Sequence, residues 1–201
     1  MSELPKLILA TRNAHKTEEI RQILGNKFSI TDVRSFPDLP EIEETGTTFV
    51  ENARLKAMGI SKHVPGWVLA DDSGLEVDAL GGAPGVWSSS FGGEEGNHAK
   101  NNARLDQEMA GKENRSARFR CTLFLAKDGR EIGVFYGTVE GRIAAEASGE
   151  GGFGYDPHFI PDGYEIPLAE LGSEVKNSLS HRAKAISALT EFLEDKDLEE
   201  F

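Results

Sequence analysis

The chain has one cysteine and no long apolar run, and these features exclude several classes of protein. Its 201 residues include one cysteine, Cys121, so no internal disulfide can form, which is typical of a reducing cytoplasm. No apolar run is long enough to cross a bilayer, and the first residues lack the basic and apolar segments of a secretion signal. We therefore expect a cytoplasmic protein with no membrane partner. The thiol itself lies in an apolar run and is expected to be buried and structural.

Basic residues are scarce as well. The chain has 22 Lys and Arg against 34 Asp and Glu, which gives a formal net charge of −12. Because binding to a nucleic acid backbone depends on clustered Lys and Arg, we expect no nucleic acid polymer as a partner. A small phosphorylated ligand is compatible with this charge, provided that local cations and a divalent metal link its phosphates to protein carboxylates.

What the chain does contain, in its first seventy residues, is an alternation of strand and helix patterns. The apolar residues 7–10 and 67–70 predict buried strands. Two helices are predicted between them: Gly25 would cap the end of the first, and a capping box of Thr48 and Glu51 would open the second. The order β-α-(β)-α-β predicts an α/β fold.

The second half of the chain carries more strand and glycine signals. The predicted elements are a strand at 75–80, a helix at 97–109, β runs at 116–126 and 131–139, and a helix at 180–194. The pair Asp128-Gly129 between the two β runs indicates a hairpin. Since no linker or repeat is evident, residues 1–201 are expected to form one domain, with a frayed acidic tail at 195–201.

The most informative segment is the junction of the apolar run 67–70 with Asp71-Asp72-Ser73-Gly74. Two adjacent carboxylates destabilise a strand unless they bind a cation, share a proton or reach solvent. The glycine behind them permits a sharp turn or the close approach of a ligand. Open α/β sheets bind ligands where their strands end, and this strand is predicted to end here. Taken alone, the segment is equally compatible with an ordinary solvated turn.

Two other loops in the first half offer charged groups. Residues 11–16 follow a strand and open a helix, where backbone N–H groups and Lys16 attract anions. Thr11 and Asn13 suit a simple capping turn equally well. Residues 41–46 are an acidic stretch, for which a solvated loop is the simpler interpretation when it is considered alone.

Two loops in the second half offer a flat slot and hydrogen-bond donors. In residues 151–157, three glycines around two aromatic residues allow the backbone close to a flat ligand; the alternative is that the aromatic rings fill the core. In residues 176–182, Ser180 suits a helix cap, and His181 and Arg182 would present donors at the positive end of that helix; the alternative is surface decoration. Together the five loops contain the parts of a metal-dependent nucleotide site.

The same segments carry a resemblance to a known family. In order, the chain resembles the inosine triphosphate pyrophosphatase family, whose bacterial members are dITP/XTP pyrophosphatases, over residues 7 to about 193. The motifs that carry the resemblance are Thr11-x-Asn13-x-x-Lys16, Glu43-Glu44-Thr45-Gly46-x-Thr48-Phe49-x-Glu51-Asn52-Ala53, Ala70-Asp71-Asp72-Ser73-Gly74-Leu75, Leu80-Gly81-Gly82-Ala83-Pro84-Gly85-Val86, Gly151-Gly152-Phe153-Gly154-Tyr155-Asp156-Pro157 and Ser180-His181-Arg182-x-Lys184-Ala185.

This resemblance implies a fold, an activity and a setting. The fold would be a two-lobed α/β domain around an elongated mixed β-sheet with flanking helices, with the active site in the cleft between the lobes. The activity would be Mg²⁺-dependent hydrolysis of non-standard purine nucleoside triphosphates (ITP, dITP and XTP) to the monophosphate and pyrophosphate. The protein would be cytoplasmic and a homodimer.

The resemblance also assigns roles to individual residues. It implies that Asp72 is the proton acceptor and a metal ligand, that Glu44 is the other metal carboxylate, and that Lys16 contributes to catalysis by offsetting phosphate charge. Beside them, Asp71 would tune Asp72 or hold metal-bound water. The remaining substrate contacts would be Thr11, Arg12, Asn13, Ala14, His15, Ser73, Phe153, Gly154, Tyr155, Asp156, Lys176, His181 and Arg182.

One position departs from the family pattern. Many bacterial relatives have an arginine where this chain has Ser90, so substrate affinity or activity could differ if that arginine holds the phosphates. Two other functions stay open from the sequence. One is a pyrophosphatase for other modified nucleotides on a related fold, and the other is a nucleotide sensor that has lost catalysis.

Overall fold

The computed structural model describes residues 4–24 and 27–194, so the predicted cap at Gly25 and the predicted tail at 195–201 lie outside the described residues. The described chain forms six β-strands and five α-helices. The strands are β1 (Lys6–Leu9), β2 (Ser29–Asp32), β3 (Trp67–Val77), β4 (Ser116–Lys127), β5 (Arg130–Ile143) and β6 (Phe159–Pro161). The helices are α1 (Ala14–Leu24), α2 (Phe49–Ser61), α3 (His98–Met109), α4 (Gly172–Leu179) and α5 (His181–Glu194).

The six strands form one sheet in the order β2-β1-β3-β4-β5-β6. β1 pairs in parallel with both β2 and β3, whereas β5 and β6 are antiparallel, so the sheet is mixed. Between β4 and β5, Asp128 and Gly129 both have positive φ angles of 49° and 73°, the backbone of a type I′ hairpin turn. The predicted α/β class with a mixed sheet is confirmed.

The chain divides into two compact units. The first contains the residues up to Asp72, Cys121–Gly137 and the residues from Arg182 onward. In it, alternate residues of β1 lie in different apolar clusters: Leu7 and Leu9 belong to the cluster that includes residues of α1 and α5, and Ile8 belongs to the one that includes residues of α2. Because successive side chains of a strand point to opposite faces, this part of the sheet is buried on both sides.

The second unit contains Ser73–Arg120 and Thr138–His181. An apolar cluster in this unit joins one face of the strands to Leu105 and Met109 of α3. Intervening positions of these strands, with Asp78 directly after β3, carry an ion-pair network in which Arg118 bridges Glu76, Asp78 and Glu140. The sheet in this unit is therefore apolar on one face and charged on the other. The elongated shape and the cleft that the family resemblance implies stay predictions.

The prediction for β3 was wrong in one respect that matters for function. The strand does not end at Ala70, and residues 75–80 are not a separate strand: β3 runs without interruption from Trp67 to Val77 and is followed by a short 3₁₀ turn at Asp78–Leu80. Asp71-Asp72-Ser73-Gly74 is thus a segment inside a strand. The strand continues through two carboxylates because cations neutralise both of them, as described below.

The helices agree better with the sequence, with one exception. The predicted capping box of Thr48 and Glu51 opens α2, and the helix predicted at 97–109 begins at His98, with Asn97 as its side-chain cap. The segment 176–182, expected to be a loop before the last helix, instead spans the end of α4 and the start of α5. No helix in residues 4–24 and 27–194 is both long and apolar enough to cross a membrane.

Candidate active site

Asp71, the first carboxylate of the pair in β3, is buried and fully engaged by the first unit. Its Oδ1 lies 2.6 Å from Lys16 Nζ, and its Oδ2 accepts hydrogen bonds from Arg182 Nε at 2.8 Å and from Cys121 Sγ at 3.2 Å. Burial alone would raise the pKa of Asp71, but the charges of Arg182 and Lys16 hold that pKa well below its usual range. Asp71 is therefore a permanent anion that anchors two cations.

Arg182, predicted to contact substrate, has a side chain that is only 1% exposed. Its guanidinium donates to Asp71 and also to Glu19 of α1, so it joins α5 and α1 to β3. Burial would lower the pKa of Arg182, but the charges of Asp71 and Glu19 raise it further above its ordinary value. The geometry makes Arg182 part of the support behind Lys16, and its predicted contact with substrate stays a prediction.

Cys121 closes this network from β4. Its thiol is buried, and burial together with the charge of Asp71 raises the pKa of Cys121 well above its usual range. The thiol is therefore protonated at neutral pH and acts as a hydrogen-bond donor. The prediction of a buried, structural cysteine is confirmed.

The second carboxylate, Asp72, shares a cation with Glu44. Lys56 Nζ lies 2.9 Å from Asp72 Oδ1, 2.7 Å from Glu44 Oε2 and 3.0 Å from the main-chain oxygen of Asp71. Burial raises the pKa of Asp72 to about 6, although Lys56 and Lys16 oppose the rise. Burial would also raise the pKa of Glu44, but the charge of Lys56 holds it below its usual value. The predicted pair of carboxylates is brought together, and an unpredicted lysine lies between them.

The oxygens of Glu44 and Asp72 fit a hard divalent cation. Asp72 Oδ2 is buried and has no hydrogen-bond partner among the described residues, so an acceptor is left for a ligand. Mg²⁺ at phosphate sites is usually held by one or two carboxylates and takes its other ligands from phosphate and water. Across residues 4–24 and 27–194, no group of three or more His, Cys, Asp or Glu side chains is arranged to hold a metal by itself.

The loop 11–16 contributes the side chain of Lys16 to this cluster, and several of its backbone N–H groups are bound within the loop itself. Asn13 Oδ1 accepts hydrogen bonds from the backbone N–H groups of His15 and Lys16, and Thr11 Oγ1 accepts one from the N–H of Asn13. The capping alternative for Thr11 and Asn13 therefore describes this loop, and these N–H groups are already bound. Arg12, Ala14 and His15 have exposed side chains, and Lys16 is the cation that reaches the carboxylates.

In the second unit, the glycine-rich turn is organised around Asp156. Asp156 Oδ2 accepts hydrogen bonds from the N–H of Phe153 at 2.8 Å and from Lys176 Nζ at 2.7 Å, and Lys176 Nζ lies 4.8 Å from the centre of the Phe153 ring. Gly152 has a φ of +74°, and a Cβ there would lie 2.1 Å from Asp156 Oδ2, so only glycine fits. Phe153, Asp156 and Lys176 therefore form one cluster, and their contacts with substrate stay predictions.

Other predicted contacts have different surroundings. Tyr155 is buried and donates to the main-chain oxygen of Ser88, so its ring is core, which was the alternative noted for this turn. His181 is buried and stacks on Phe119 with ring centres 4.9 Å apart. Ser73 is half-buried in β3, directly after Asp72, and Ser90 donates its N–H to the main-chain oxygen of Trp87. The substrate roles of these residues stay predictions.

Sequence reasoning missed Lys56 and Glu19. Both lie on helices whose apolar positions were evident, and both occupy positions beside them that face inward. Lys56 precedes the buried Ala57, and Glu19 precedes the buried Ile20. A charged residue flanked by core positions is a signal, since ionised side chains are rarely buried unless they are paired. The partners themselves cannot be identified from helical spacing.

The sequence of this chain is similar to those of proteins in a known family. The sequence model of the Ham1 family matches residues 7–192. A dITP/XTP pyrophosphatase of Streptococcus agalactiae serotype V is 47% identical over 197 residues, which cover 96% of this chain and 61% of that protein. A dITP/XTP pyrophosphatase of Streptococcus pyogenes serotype M1 is 48% identical over 189 residues, which cover 92% of this chain and 58% of that protein. The chain thus spans about six tenths of the length of these curated relatives.

Solved structures match this chain over nearly their whole length. The Ham1 protein of Staphylococcus aureus superposes with a TM-score of 0.86 at 36% identity, covering 96% of this chain and 100% of that one. The Ham1 protein of Coxiella burnetii gives 0.87 at 36% identity with the same coverage. A nucleoside-triphosphatase, dITP/XTP pyrophosphatase, of Mycobacterium abscessus gives 0.74 at 38% identity, covering 92% of this chain and 98% of that one.

Proposed function

This chain belongs to the Ham1 family, and on that basis we propose that it hydrolyses the non-standard purine nucleoside triphosphates ITP, dITP and XTP to the monophosphate and pyrophosphate. Relatives named dITP/XTP pyrophosphatase, nearly half identical over almost the whole chain, support the substrate class. The observation that carries the proposal is the cluster in which Glu44 and Asp72 converge on Lys56 while Asp72 keeps one oxygen without a partner among the described residues.

In this proposal, Asp72 accepts the proton of the water that attacks the α-phosphorus. Its Oδ2 has no hydrogen-bond partner among residues 4–24 and 27–194, and its Oδ1 is held by Lys56, which fixes the carboxylate in one orientation. Lys56 and Lys16 supply positive charge beside the phosphates, where charge develops on the departing pyrophosphate. Asp71 stays ionised and holds Lys16, and no nucleophilic Ser or Cys is required.

We propose Glu44 and Asp72 as the residues that hold Mg²⁺. When bound, the cation would neutralise negative charge on the phosphates and so favour attack by water. Glu44 has a half-exposed side chain at 45%, so it can leave Lys56 and turn to a metal without unfolding its surroundings. Lys56 would keep its contact with Asp72 Oδ1, and the N–H that Glu44 leaves would turn to a phosphate oxygen.

For the base, we propose that the second unit selects a purine with an oxygen at C6. Lys176 donates to Asp156 in this unit, and we propose that in the complex with substrate its ammonium group also donates to the carbonyl oxygen of the base. Adenine carries an amino group at that position, and a donor facing a donor is costly. Phe153 would cover the face of the ring. The family resemblance adds two further parts to the proposal, a cytoplasmic location and a homodimer.

A pyrophosphate-release assay across ITP, XTP, dITP, GTP and ATP tests this function. We expect the inosine and xanthosine nucleotides to have the highest kcat/KM. Equal values for all five would indicate a general nucleoside triphosphate pyrophosphatase, and activity confined to other modified bases would support the alternative enzyme. Binding of ITP without pyrophosphate release at any Mg²⁺ concentration would support a sensor.

Variants of the carboxylates test the residue roles. Asp72→Asn is expected to lower kcat by at least about a thousandfold, because it removes the proton acceptor and a metal ligand. Asp38→Asn, at an exposed aspartate, is the control. Glu44→Gln is expected to raise the Mg²⁺ concentration needed for half-maximal activity, whereas Glu43→Gln, at the exposed neighbour, should not. Near-normal turnover by Asp72→Asn would eliminate the proposed base.

A further inference from the structure

Helix α3 carries a row of polar side chains that contact the glycine-rich turn of the second unit. His98, Asn102 and Asp106 are four residues apart, so they lie on one face of the helix. Each contacts a different residue of the segment 153–158. None of the three belongs to the cluster of Asp156, Lys176 and Phe153 that the proposed function uses, and none was identified from the sequence.

Asn102 is the central member of this row. Its Nδ2 donates to the main-chain oxygen of Gly154 at 3.0 Å, while its Oδ1 is buried and has no hydrogen-bond partner among the described residues. Leaving a buried amide oxygen without a partner costs stability, and an apolar side chain would avoid that cost. The contact that the asparagine gains in exchange is the hydrogen bond to the turn. Gly154 has a φ of +64°, so this hydrogen bond holds the backbone directly after Phe153 in a left-handed conformation.

The other two members contact the turn on either side of Gly154. The rings of His98 and Phe153 have centres 6.2 Å apart and an interplanar angle of 54°, within the range of favourable aromatic pairs. Asp106 Oδ1 lies 2.9 Å from Nε2 of His158, whose side chain is only 3% exposed. α3 therefore holds the turn at its aromatic ring, at its left-handed residue and at its far end.

We propose that Asn102, supported by His98 and Asp106, is a positioning residue that sets the orientation of Phe153 and thereby the affinity of the site for the nucleobase. This inference rests on the proposed function, since it assumes that Phe153 covers the base. Asn102 acts through the turn and is not a catalytic residue. In the proposed function, the triphosphate end of the substrate depends on Lys16, Lys56 and the carboxylates of the first unit.

Two variants of Asn102 separate the hydrogen bond from packing. Asn102→Asp keeps the shape of the side chain and removes the N–H donor, and Asn102→Ala removes both. Both are expected to raise KM for ITP about five- to tenfold, the size of one lost hydrogen bond, with kcat within about twofold. The inhibition constant of inorganic tripolyphosphate, which has no base, should change by less than about twofold. Gln107→Ala, exposed on the same helix, is the matched control.

The outcomes distinguish this inference from the proposed function. An unchanged KM in both variants overturns it, and so does a tripolyphosphate inhibition constant that rises in parallel with KM, because that pattern indicates a general structural defect. If the unaltered protein does not cleave ITP, the proposed function fails, and the turn is then probed by limited chymotrypsin digestion with the cleavage site read by mass spectrometry. Faster cleavage after Phe153 in both variants supports the positioning role, and equal rates overturn it.

Discussion

Each unit contains a cluster in which a lysine binds a buried aspartate. The two clusters differ in whether a neighbouring carboxylate keeps an oxygen without a partner among the described residues. In the first unit, Lys16 lies on the buried Asp71, and in the second, Lys176 lies on the buried Asp156. Around Asp156, the oxygen that binds Lys176 also binds the N–H of Phe153, which fixes a turn. Beside Asp71, the neighbouring Asp72 keeps a buried oxygen without a partner among the described residues.

This difference distinguishes a carboxylate that can only position other groups from one that can bind a metal or a proton. A carboxylate whose oxygens are bound by cations is stabilised as an anion and cannot take up a proton, so it can only hold other groups. A carboxylate that burial has destabilised and that has a free acceptor can bind a metal or a proton. Adjacent positions of β3 carry one of each, because side chains on successive strand residues point to opposite faces and meet different partners.

The largest expected effect comes from breaking the fully paired member. Asp71→Asn is expected to lower the free energy of unfolding by about 3–5 kcal/mol, because it leaves the buried Arg182 with one fewer anion and releases Lys16. Asp72→Asn should cost much less, since burial already disfavours its charged form. Urea denaturation of both variants, with Asp38→Asn as control, measures this. Equal losses for Asp71→Asn and Asp72→Asn would contradict the division between the two carboxylates.

Replacing Lys56, the cation that binds both Glu44 and Asp72, tests the proposed role of these groups in the reaction. Lys56→Met is expected to lower kcat by about a hundred- to a thousandfold, as for loss of one charged donor at a reacting phosphate. It also leaves Glu44 and Asp72 facing each other without a cation, so the Mg²⁺ requirement should change. Steady-state kinetics against Mg²⁺ concentration checks both, with Lys62→Met as the control at an exposed lysine that follows the same helix. A kcat within a few fold of the unaltered protein would exclude Lys56 from the reaction.

The fold and part of the site could be predicted from the sequence because they depend on local patterns. The apolar run Leu7-Ile8-Leu9-Ala10 predicts a buried strand, and Thr48 with Glu51 predicts the start of a helix, since in each case the signal lies in residues that are close in the chain. The adjacent carboxylates Asp71 and Asp72 and the glycine-rich turn 151–157 could be identified for the same reason, because each motif is a short continuous segment.

What the sequence did not predict depends on partners far apart in the chain. The continuation of β3 through Asp71 and Asp72 depends on Lys16, Lys56 and Arg182, which come from three different helices. Two adjacent aspartates are unfavourable in a strand, so local propensity predicted an end there. Tertiary ion pairs reversed that preference, and no spacing rule identifies them.

A smaller effect is expected in the cluster of Phe153, Asp156 and Lys176. Variants there should weaken the binding of substrate and leave the chemical step unchanged. Phe153→Leu is expected to raise KM for ITP about ten- to fiftyfold with little change in kcat, as for loss of one base–aromatic stacking contact. Tyr136→Leu, at an aromatic residue that is 62% exposed, is the control. A fall in kcat comparable to that of Lys56→Met would contradict the separation of base binding from chemistry.

The smallest effect concerns Asp32, a paired aspartate at the end of β2 that has no proposed role in the reaction. Burial would raise the pKa of Asp32, but hydrogen bonds from Arg34 and Thr17 lower it below its usual value. A carboxyl with a lowered folded-state pKa stabilises the protein above its unfolded pKa and loses that contribution as the pH falls through the folded pKa. Since Arg34 is half-exposed, Asp32→Asn should cost about 1 kcal/mol at pH 7. Urea denaturation should show this difference shrinking below about pH 4, and a constant difference down to about pH 3 would mean that Asp32 contributes through its shape and not its charge.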